Sequence, residues 1–306
     1  MILLGGIPSE TPLRMVREAL DDLGHPYVLF NQREFDAAEL EFTVDRGHVT
    51  GLLTLSGVSY RLEAISGLYL RFMDDQRLPE LAAEPTGSVR RQFCRNLHDG
   101  IVQWSELMPG RVVNRFSNMG SNSSKPYQAQ LIAAQGLSIP ETLVTNDPER
   151  VIAFRAHHRK VIFKSTSGAR SIVKTLEDRD MHRLNSIRWC PVQFQAFVDG
   201  FNVRVHVIGT TVFATAIETG TIDYRYADQL DGTAARLRTY RVPEELMQKC
   251  INLAQALGLA FAGIDLKVTP EGEVYCFEVN PMPAFSYYEA HTGQPIARAV
   301  AEYLSS

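Results

Sequence analysis

Apolar residues in the first part of the chain recur with two different spacings. Residues 2–4 form a short apolar run, which is typical of a buried strand. The next apolar positions are three or four residues apart and predict a helix that ends at Gly24: Leu13, Val16, Leu20 and Leu23. Residues 27–30 form a second apolar run, so the chain is predicted to open with a strand–helix–strand unit.

Further elements follow from the same patterns. Residues 48–55 and 58–62 flank a Ser-Gly turn and predict a hairpin. Residues 67–71 predict a strand, and residues 88–107 predict a helix that completes this part of the chain. A helix over residues 126–135 is predicted next, with Ser124 as its N-cap.

A loop of small residues stands between two short β-type runs in the middle of the chain. Residues 161–163 precede Lys164 and Ser165, the loop continues through Gly168, and residues 172–173 follow. The backbone N–H groups of such a loop can bind phosphates, and a lysine at its base adds positive charge. The alternative interpretation is a flexible surface hairpin with a solvated lysine.

Two strands are predicted over residues 193–198 and 203–208. In the second, valines alternate with Arg204 and His206, so one face is apolar and the other carries a cation and an imidazole. Such a face suits an anionic ligand, although a face turned to solvent gives the same pattern. His206 is a candidate general base, and a core histidine is the alternative interpretation.

Facing acids are predicted in the last hairpin. Residues 261–268 and 273–279 predict its strands, and a symmetrical turn places Asp265 opposite Glu278, with Asn280 further along the same face. Two facing carboxylates repel one another, so a buried pair needs a cation or a shared proton. Carboxylate and amide oxygens suit a hard ion such as Mg²⁺. An exposed edge with unpaired acids is the alternative interpretation.

Composition narrows the class of protein. The chain has 306 residues and a formal net charge of −4, so its charge does not indicate binding to nucleic acid or to an acidic membrane. The N-terminus lacks the features of a signal peptide, and no apolar run reaches the roughly 20 residues that span a bilayer. The cysteines are widely spaced and form no CxxC pair. These observations predict a cytoplasmic α/β protein with free thiols.

Taken in order, the candidate residues resemble the ATP-grasp superfamily and, within it, the RimK-like ligases. The resemblance covers about residues 112–306 and is carried by Lys125, Lys164, the strand at 193–198, Arg204, Asp265 and the run Glu278-x-Asn280-Pro281. It is strongest toward the graspetide synthetases, which form side-chain ester and amide macrocycles in ribosomal peptides. Supporting stretches are Asp223-Tyr224-Arg225, Gly263-Ile264-Asp265-Leu266 and Thr292-Gly293-Gln294-Pro295.

The resemblance implies a fold and a division into domains. The fold is α/β (α+β), namely an ATP-grasp fold with a βαβ pre-ATP-grasp domain at residues 1–111. A central subdomain at residues 112–190 and a C-terminal antiparallel-sheet subdomain at residues 191–306 would hold Mg²⁺ and ATP.

The resemblance also implies roles for individual residues. Those at the ATP phosphates would be Lys125, Lys164, Ser165 and Gly168. Those at the adenine and ribose would be Gln195, Ala196, Phe197, Val198 and Asn202. One or two Mg²⁺ ions would bind Asp265, Glu278 and Asn280. Arg204 would stabilise the transferred phosphoryl group, and Arg225 would orient the substrate.

The implied activity is an ATP-dependent ligase that forms an amide or an ester through an acyl phosphate, with a ribosomal peptide as substrate. Two alternatives are a RimK-like ligase that adds an amino acid to a small molecule or a protein terminus, and a nucleotide-binding regulator without turnover. The family further implies a possible homodimer. Three departures from the family pattern are Ala196, Asn202 and the Met282-Pro283 exit after Asn280.

Overall fold

The chain begins with the predicted strand–helix–strand unit. In the computed structural model, which describes residues 1–165 (without the side chain of Ser165), 173–218 and 236–306, strand β1 (Ile2–Gly6) leads into helix α1 (Thr11–Leu23) and strand β2 (Tyr27–Asn31). The two strands pair in parallel. Gly24 ends the helix as predicted: at φ 69° it donates its N–H to the carbonyl oxygens of the last turn.

A small antiparallel sheet follows. It contains strands β3 (Ala38–Asp45), β4 (His48–Leu55) and β5 (Val58–Arg61), paired in that order. The predicted hairpin is therefore confirmed. Strand β3 was not predicted from sequence, and most of its residues are partly or fully exposed.

The chain then returns to the first sheet through strand β6 (Gly67–Arg71), helix α2 (Val89–Leu107) and strand β7 (Arg111–Val113). The described strands of this sheet are parallel and lie in the order β2-β1-β6-β7. The predicted boundary between residues 111 and 112 falls inside β7, which pairs with this first sheet.

The central part of the chain forms a second layer of structure. Its elements are α3 (Lys125–Ala134), β8 (Thr142–Thr145), α4 (Pro148–His157), β9 (Val161–Ser165), β10 (Lys174–Thr175), α5 (Asp178–Met181) and β11 (Val192–Ala196). The described strands pair antiparallel in the order β10-β9-β11-β8.

Two details of this central part differ from the sequence-based predictions. Ser124 occupies the N-cap position of α3, but its side chain makes no capping hydrogen bond. Of the β run predicted at residues 172–173, residue 172 lies outside the described residues and Val173 is not in a strand; the short strand described here is Lys174–Thr175, which pairs with Phe163 and Ile162.

The C-terminal part contains an antiparallel sheet and its helices. Its elements are β12 (Phe201–Ile208), β13 (Thr211–Glu218), β14 (Arg236–Thr239), α6 (Glu244–Ala256), β15 (Phe261–Val268), β16 (Val274–Asn280), α7 (Ser286–Thr292) and α8 (Ile296–Ser305). The described strands lie in the order β14-β13-β12-β15-β16. Short 3₁₀ turns occur at Gln32–Ala37, Leu62–Ala64, Asp75–Arg77, Pro79–Leu81, Phe116–Ser123 and Leu184–Trp189.

Buried apolar side chains pack between the helices and the sheets. Helix α6 packs its apolar face, including Leu253 and Cys250, on the valine face of β12. Helix α8 returns to the start of the chain, where Val300 and Leu304 pack in one cluster with Leu13 of α1. Burying these faces removes apolar surface from water, which is the main source of the stability of the fold. Among the helices of the described residues, none is both long and apolar enough to cross a bilayer.

Candidate active site

An arginine and an aspartate occupy opposed positions on neighbouring strands of the C-terminal sheet. Arg204 of β12 pairs with Asp265 of β15, so the two side chains leave the sheet on the same face. Arg204 Nη1 lies 2.6 Å from Asp265 Oδ1, and the arginine side chain is 7 % exposed. A charge-assisted hydrogen bond with so little competing water fixes the position of the carboxylate.

The predicted pairing of Asp265 with Glu278 is confirmed, but an irregularity in β16 produces it. Near the turn Leu266 pairs with Cys276, whereas Asp265 pairs with Glu278, so Phe277 is an extra residue between the two pairs. This β-bulge brings Phe277 and Glu278 to the same side, where both line one cavity. The assumption of a symmetrical turn was therefore wrong, because the register at the turn would oppose Asp265 to Phe277.

Helix α3 supplies a cation for the second carboxylate. Lys125 Nζ lies 2.6 Å from Glu278 Oε2, and both side chains are partly exposed. One turn further along the helix, the Gln128 amide donates to the Val279 carbonyl oxygen at 2.8 Å and accepts from the Val279 N–H at 2.9 Å. The side-chain amide thus fixes α3 against strand β16 and places Lys125 beside Glu278.

These two ion pairs correct the electrostatic argument made from sequence. Facing carboxylates were expected to require a metal ion or a shared proton. In the structure each carboxylate faces a side-chain cation instead, Arg204 for Asp265 and Lys125 for Glu278. The repulsion between the acids is therefore offset within the protein, and it does not by itself establish a metal site.

The oxygen atoms present nevertheless fit a hard divalent cation. Asp265 and Glu278 offer anionic oxygens at opposed positions, and Asn280 offers an amide oxygen. Asn280 Oδ1 accepts a hydrogen bond from the Met282 N–H at 3.1 Å, which leaves its second lone pair for a metal ion. This is a donor set that Mg²⁺ accepts, and Mg²⁺ usually completes its shell with phosphate oxygens and water. These three residues would hold such an ion.

A cavity lies between the central sheet and the C-terminal sheet and includes the acidic pair. Apolar side chains from both sheets form part of its wall, among them Ile162, Val203 and Leu266. The predicted site residues that line it are Lys164, Gln195, Phe197, Val198, Asn202, Asp265 and Glu278. An apolar cavity with a few converging polar groups is typical of a small-molecule site. The structure therefore brings the predicted nucleotide-binding residues together around one space.

Residues 195–198, called the hinge below, connect the central and C-terminal sheets. The Ala196 N–H donates to the Glu141 carbonyl oxygen at 2.9 Å, and the Phe197 N–H donates to the Lys160 carbonyl oxygen at 3.0 Å. Both N–H groups are therefore already bonded within the protein. Among the described residues, Ala196 is the hinge residue that does not line the cavity.

Lys267 is a cavity residue that the sequence reasoning missed. It is only 9 % exposed, and its Nζ donates to the carbonyl oxygen of Val198 in the hinge at 3.1 Å. Burial lowers the pKa of its ammonium group. Alternation along β15 could have revealed it, because residues 265 and 267 share a strand face.

His206 lies in the core rather than in the cavity wall. Its ring is fully buried and packs edge-on against Tyr288, with ring centroids 5.0 Å apart. Burial, together with the nearby charge of Arg204, lowers the pKa of the imidazole well below its usual value. Neither ring nitrogen has a hydrogen-bond partner in the described part of the chain. The core interpretation is confirmed, and no contact with another described residue supports a role as general base.

Three of the predicted site positions fall beyond what the structure describes. Gly168 and Arg225 belong to the two segments outside the described ranges, and the side chain of Ser165 is likewise not described. Their proposed contacts with phosphate and substrate stay predictions.

Comparison with known proteins identifies a matching family and related sequences. Residues 122–304 match the profile of the RimK-like ATP-grasp domain. The chain is 26 % identical over 216 residues to a probable alpha-L-glutamate ligase of Chromohalobacter salexigens, covering 67 % of this chain and 70 % of that protein. A protein of the same name from Stenotrophomonas maltophilia strain K279a is 25 % identical over 244 residues, covering 75 % of this chain and 78 % of that protein.

Solved structures with the same fold cover almost the whole chain. The ATP-grasp ligase PsnB, complexed with a minimal precursor, Mg and ADP, is 26 % identical, with a TM-score of 0.79 over 99 % of this chain and 96 % of that one. The macrocyclase MdnC from Microcystis aeruginosa MRC, bound with the precursor peptide MdnA, is 22 % identical, with a TM-score of 0.81 over 100 % of both chains. An identity of 22 % shows only that MdnC and this chain share a fold.

Proposed function

The chain belongs to the RimK-like ATP-grasp family, and from this premise we propose that it is a ligase that uses Mg²⁺ and ATP to join a carboxylate to an amine or a hydroxyl. The observation that carries the proposal is the acidic pair Asp265 and Glu278, opposed in one sheet at a cavity that Lys164 also lines. A complete acidic and basic set favours an enzyme over a regulator that only binds nucleotide.

The position of each side chain suggests its task. Asp265, Glu278 and Asn280 would hold Mg²⁺, which would neutralise phosphate charge. Arg204 and Lys125 now balance the carboxylates, and they are the cations placed to face phosphate oxygens once a metal ion binds those carboxylates. The cavity wall, including Phe277 and the hinge, would hold the base of the nucleotide.

The chemistry follows from the weak electrophilicity of a carboxylate. Transfer of the γ-phosphoryl group of ATP to a carboxylate oxygen gives an acyl phosphate and ADP. Attack of an amine or hydroxyl on the acyl carbon then expels inorganic phosphate, the nucleophile loses its proton, and an amide or ester remains. The protein contributes the alignment of the reacting groups and fixed positive charge where negative charge develops.

We propose a peptide as the substrate that supplies both groups, so that the product is a macrocycle. Support comes from PsnB, a relative with the same fold along almost the full chain, which was solved with a precursor. The alternative, a ligase that adds an amino acid to a small molecule or protein terminus, is favoured by the name of the probable alpha-L-glutamate ligases.

Mass spectrometry distinguishes these functions. The purified protein is incubated with Mg²⁺, ATP and a peptide rich in Thr, Ser, Lys, Asp and Glu, and ADP release is followed in parallel. Loss of the mass of one water per bond formed supports macrocyclisation, whereas gain of an amino-acid residue mass supports the alternative. ATP binding without ADP release, with peptide and with free amino acids, would favour a regulator and contradict the proposal.

Substitution of the acidic pair tests the site itself. Asp265→Asn and Glu278→Gln each remove one anionic oxygen, so we expect ADP release to fall to background while the fold stays intact by circular dichroism. Glu271→Gln, in the exposed turn of the same hairpin, is the matched control and should keep wild-type turnover. Near-normal activity in either site variant would remove the metal assignment.

Several finer assignments belong to this proposal and rest on family resemblance. They are the phosphate contacts of Lys164, Ser165 and Gly168, the adenine and ribose contacts of the hinge and Asn202, the substrate contact of Arg225, a homodimer and a cytoplasmic location.

A further inference from the structure

Two histidines and a glutamate meet beside the hinge, and none of the three lines the cavity that contains the acidic pair. The residues are Glu141, just before β8, and His157 and His158, at the end of α4. One potential ligand atom from each lies within 4.8 Å of the others. The His157 and His158 rings stand nearly perpendicular, with centroids 4.8 Å apart. Each side chain can therefore direct a nitrogen or oxygen atom to one point between them.

The closest contact in this cluster places a ring nitrogen against a carboxylate oxygen. His158 Nε2 lies 3.2 Å from Glu141 Oε2, and this nitrogen is inaccessible to water. In the described part of the chain it has no partner with hydrogen-bond geometry. If Nε2 carries a lone pair, it and the carboxylate oxygen repel one another unless a proton or a metal ion lies between them. Packing of the His158 ring against Phe154, at 4.4 Å between centroids, holds the nitrogen in this position.

We propose that Glu141, His157 and His158 form a binding site for a borderline divalent cation, with Zn²⁺ as the ion that the donors fit. Two imidazole nitrogens and one carboxylate oxygen are a common zinc set, whereas Mg²⁺ prefers oxygen donors alone. Three protein ligands leave the fourth position of a tetrahedral zinc ion open to water. The site is thus chemically distinct from the acidic pair in the C-terminal sheet.

The position of the cluster gives the ion a structural role. The Glu141 carbonyl oxygen accepts from the Ala196 N–H, and the Lys160 carbonyl oxygen, two residues after His158, accepts from the Phe197 N–H. A metal ion bound by Glu141 and His158 would connect the two backbone segments that hold the hinge from either side. Zinc would therefore stiffen the hinge, and it would do so whether or not the proposed ligase activity is correct.

Direct metal binding tests the proposal without any activity assay. Untagged protein in the Cys190→Ser background, which removes the exposed thiol, is titrated with Zn²⁺ in excess Mg²⁺, and binding is measured by calorimetry. We expect one Zn²⁺ per chain and a rise in the melting temperature. Co²⁺ in place of Zn²⁺ should give the visible absorption of a low-coordinate nitrogen and oxygen site.

Surface variants keep the test independent of folding. His157→Ala and Glu141→Gln change exposed side chains and should each weaken Zn²⁺ binding by about ten-fold or more. His182→Ala removes another exposed histidine and should leave Zn²⁺ affinity unchanged. The proposal is wrong if the parent protein binds no Zn²⁺, or if His157→Ala and Glu141→Gln bind it as tightly as the parent does.

Discussion

Arg204 and Lys125 balance the same acidic pair in physically different ways. Arg204 is a planar cation held by the sheet and by packing, and it lies 2.6 Å from Asp265. Lys125 is a flexible point charge on α3, at the same distance from Glu278 and more exposed. The arginine is therefore a fixed part of the site, whereas the lysine is able to turn from a carboxylate to a phosphate with little rearrangement.

A substitution at Gly263 tests whether activity depends on the exact position of the Arg204 guanidinium. A Cβ atom at Gly263 would lie 2.8 Å from Arg204 Nη2 and 2.7 Å from Pro283 Cβ, which is closer than real contacts allow. Gly263→Ala should displace the guanidinium and lower turnover about 10- to 100-fold, because small misplacements of catalytic groups have large effects. Steady-state ADP release measures this.

Gly120→Ala provides the control for that substitution. A Cβ atom there meets no atom of the described residues within 4 Å, so turnover should stay at the wild-type value. Wild-type turnover in Gly263→Ala as well would show that the exact position of Arg204 is unimportant.

At the level of elements, buried side-chain amides bond backbone groups that no strand reaches. Gln128 of α3 bonds both backbone groups of Val279, as a neighbouring strand would. Asn114 accepts from the Phe261 N–H at 2.9 Å and donates to the carbonyl oxygens of Phe261 and Pro281. Since these bonds join the beginning of β15 and the end of β16 to earlier parts of the chain, they hold the β15–β16 hairpin in place.

Replacing Gln128 should loosen that hairpin. Gln128→Leu leaves a buried N–H and a buried carbonyl oxygen of Val279 without partners, which costs about 1–3 kcal/mol of unfolding free energy. Urea unfolding measures the loss, and the KM for ATP should rise because Lys125 is on the same helix. Gln130→Leu, at an exposed position of α3, is the control. Equal stability of the two variants would show that the amide bonds contribute nothing.

The same elements show what a sequence can and cannot predict. Local spacing predicted the opening strand–helix–strand unit, the small hairpin and both strands of the β15–β16 hairpin, because each depends on a few neighbouring residues. The Gln128 and Asn114 bonds join positions 151 and 147 residues apart, so no local pattern reports them. The bulge at Phe277 was likewise invisible, since alternation of residue types does not reveal one extra residue.

For the molecule as a whole, a side chain of the first parallel sheet contacts the segment that follows the acidic pair. Arg71 of β6 is buried and pairs with the partly exposed Glu10, whose two carboxylate oxygens accept from its Nε at 2.8 and 2.7 Å. The neighbouring Tyr69 and Glu10 raise the pKa of this guanidinium, although burial opposes them. Its Nη1 also lies 3.5 Å from the Pro283 carbonyl oxygen. Strand β6 therefore supports the segment that leaves the β15–β16 hairpin.

Buried histidines should make the folded protein sensitive to mild acid. Burial lowers the pKa of His98 from 6.5 to about 4, so between these values the unfolded chain takes up a proton and the folded chain does not. The unfolding free energy should therefore be unaffected by this group above pH 6.5 and fall by about 1.4 kcal/mol per pH unit below it. His206 should act in the same direction.

Urea unfolding at a series of pH values from neutral to mildly acidic measures that slope. His98→Asn should reduce the slope by the contribution of one histidine, whatever its effect on stability at neutral pH. Gln130→Leu, which removes no titratable group, should leave the slope unchanged. Identical slopes in the wild type and His98→Asn would show that His98 takes up protons equally in both states.

Transplanting this site into another antiparallel hairpin would require its extra residue as well as its side chains. In a regular ladder, adjacent residues project to opposite faces, so an aromatic ring and the carboxylate next to it cannot share one face. Here Phe277 and Glu278 do share one, because both stand opposite Asp265. A designed hairpin lacking Phe277 would still oppose two acids, but it would have lost the apolar wall beside them. An ideal hairpin could therefore reproduce the opposed carboxylates of this site, but not the apolar wall beside them.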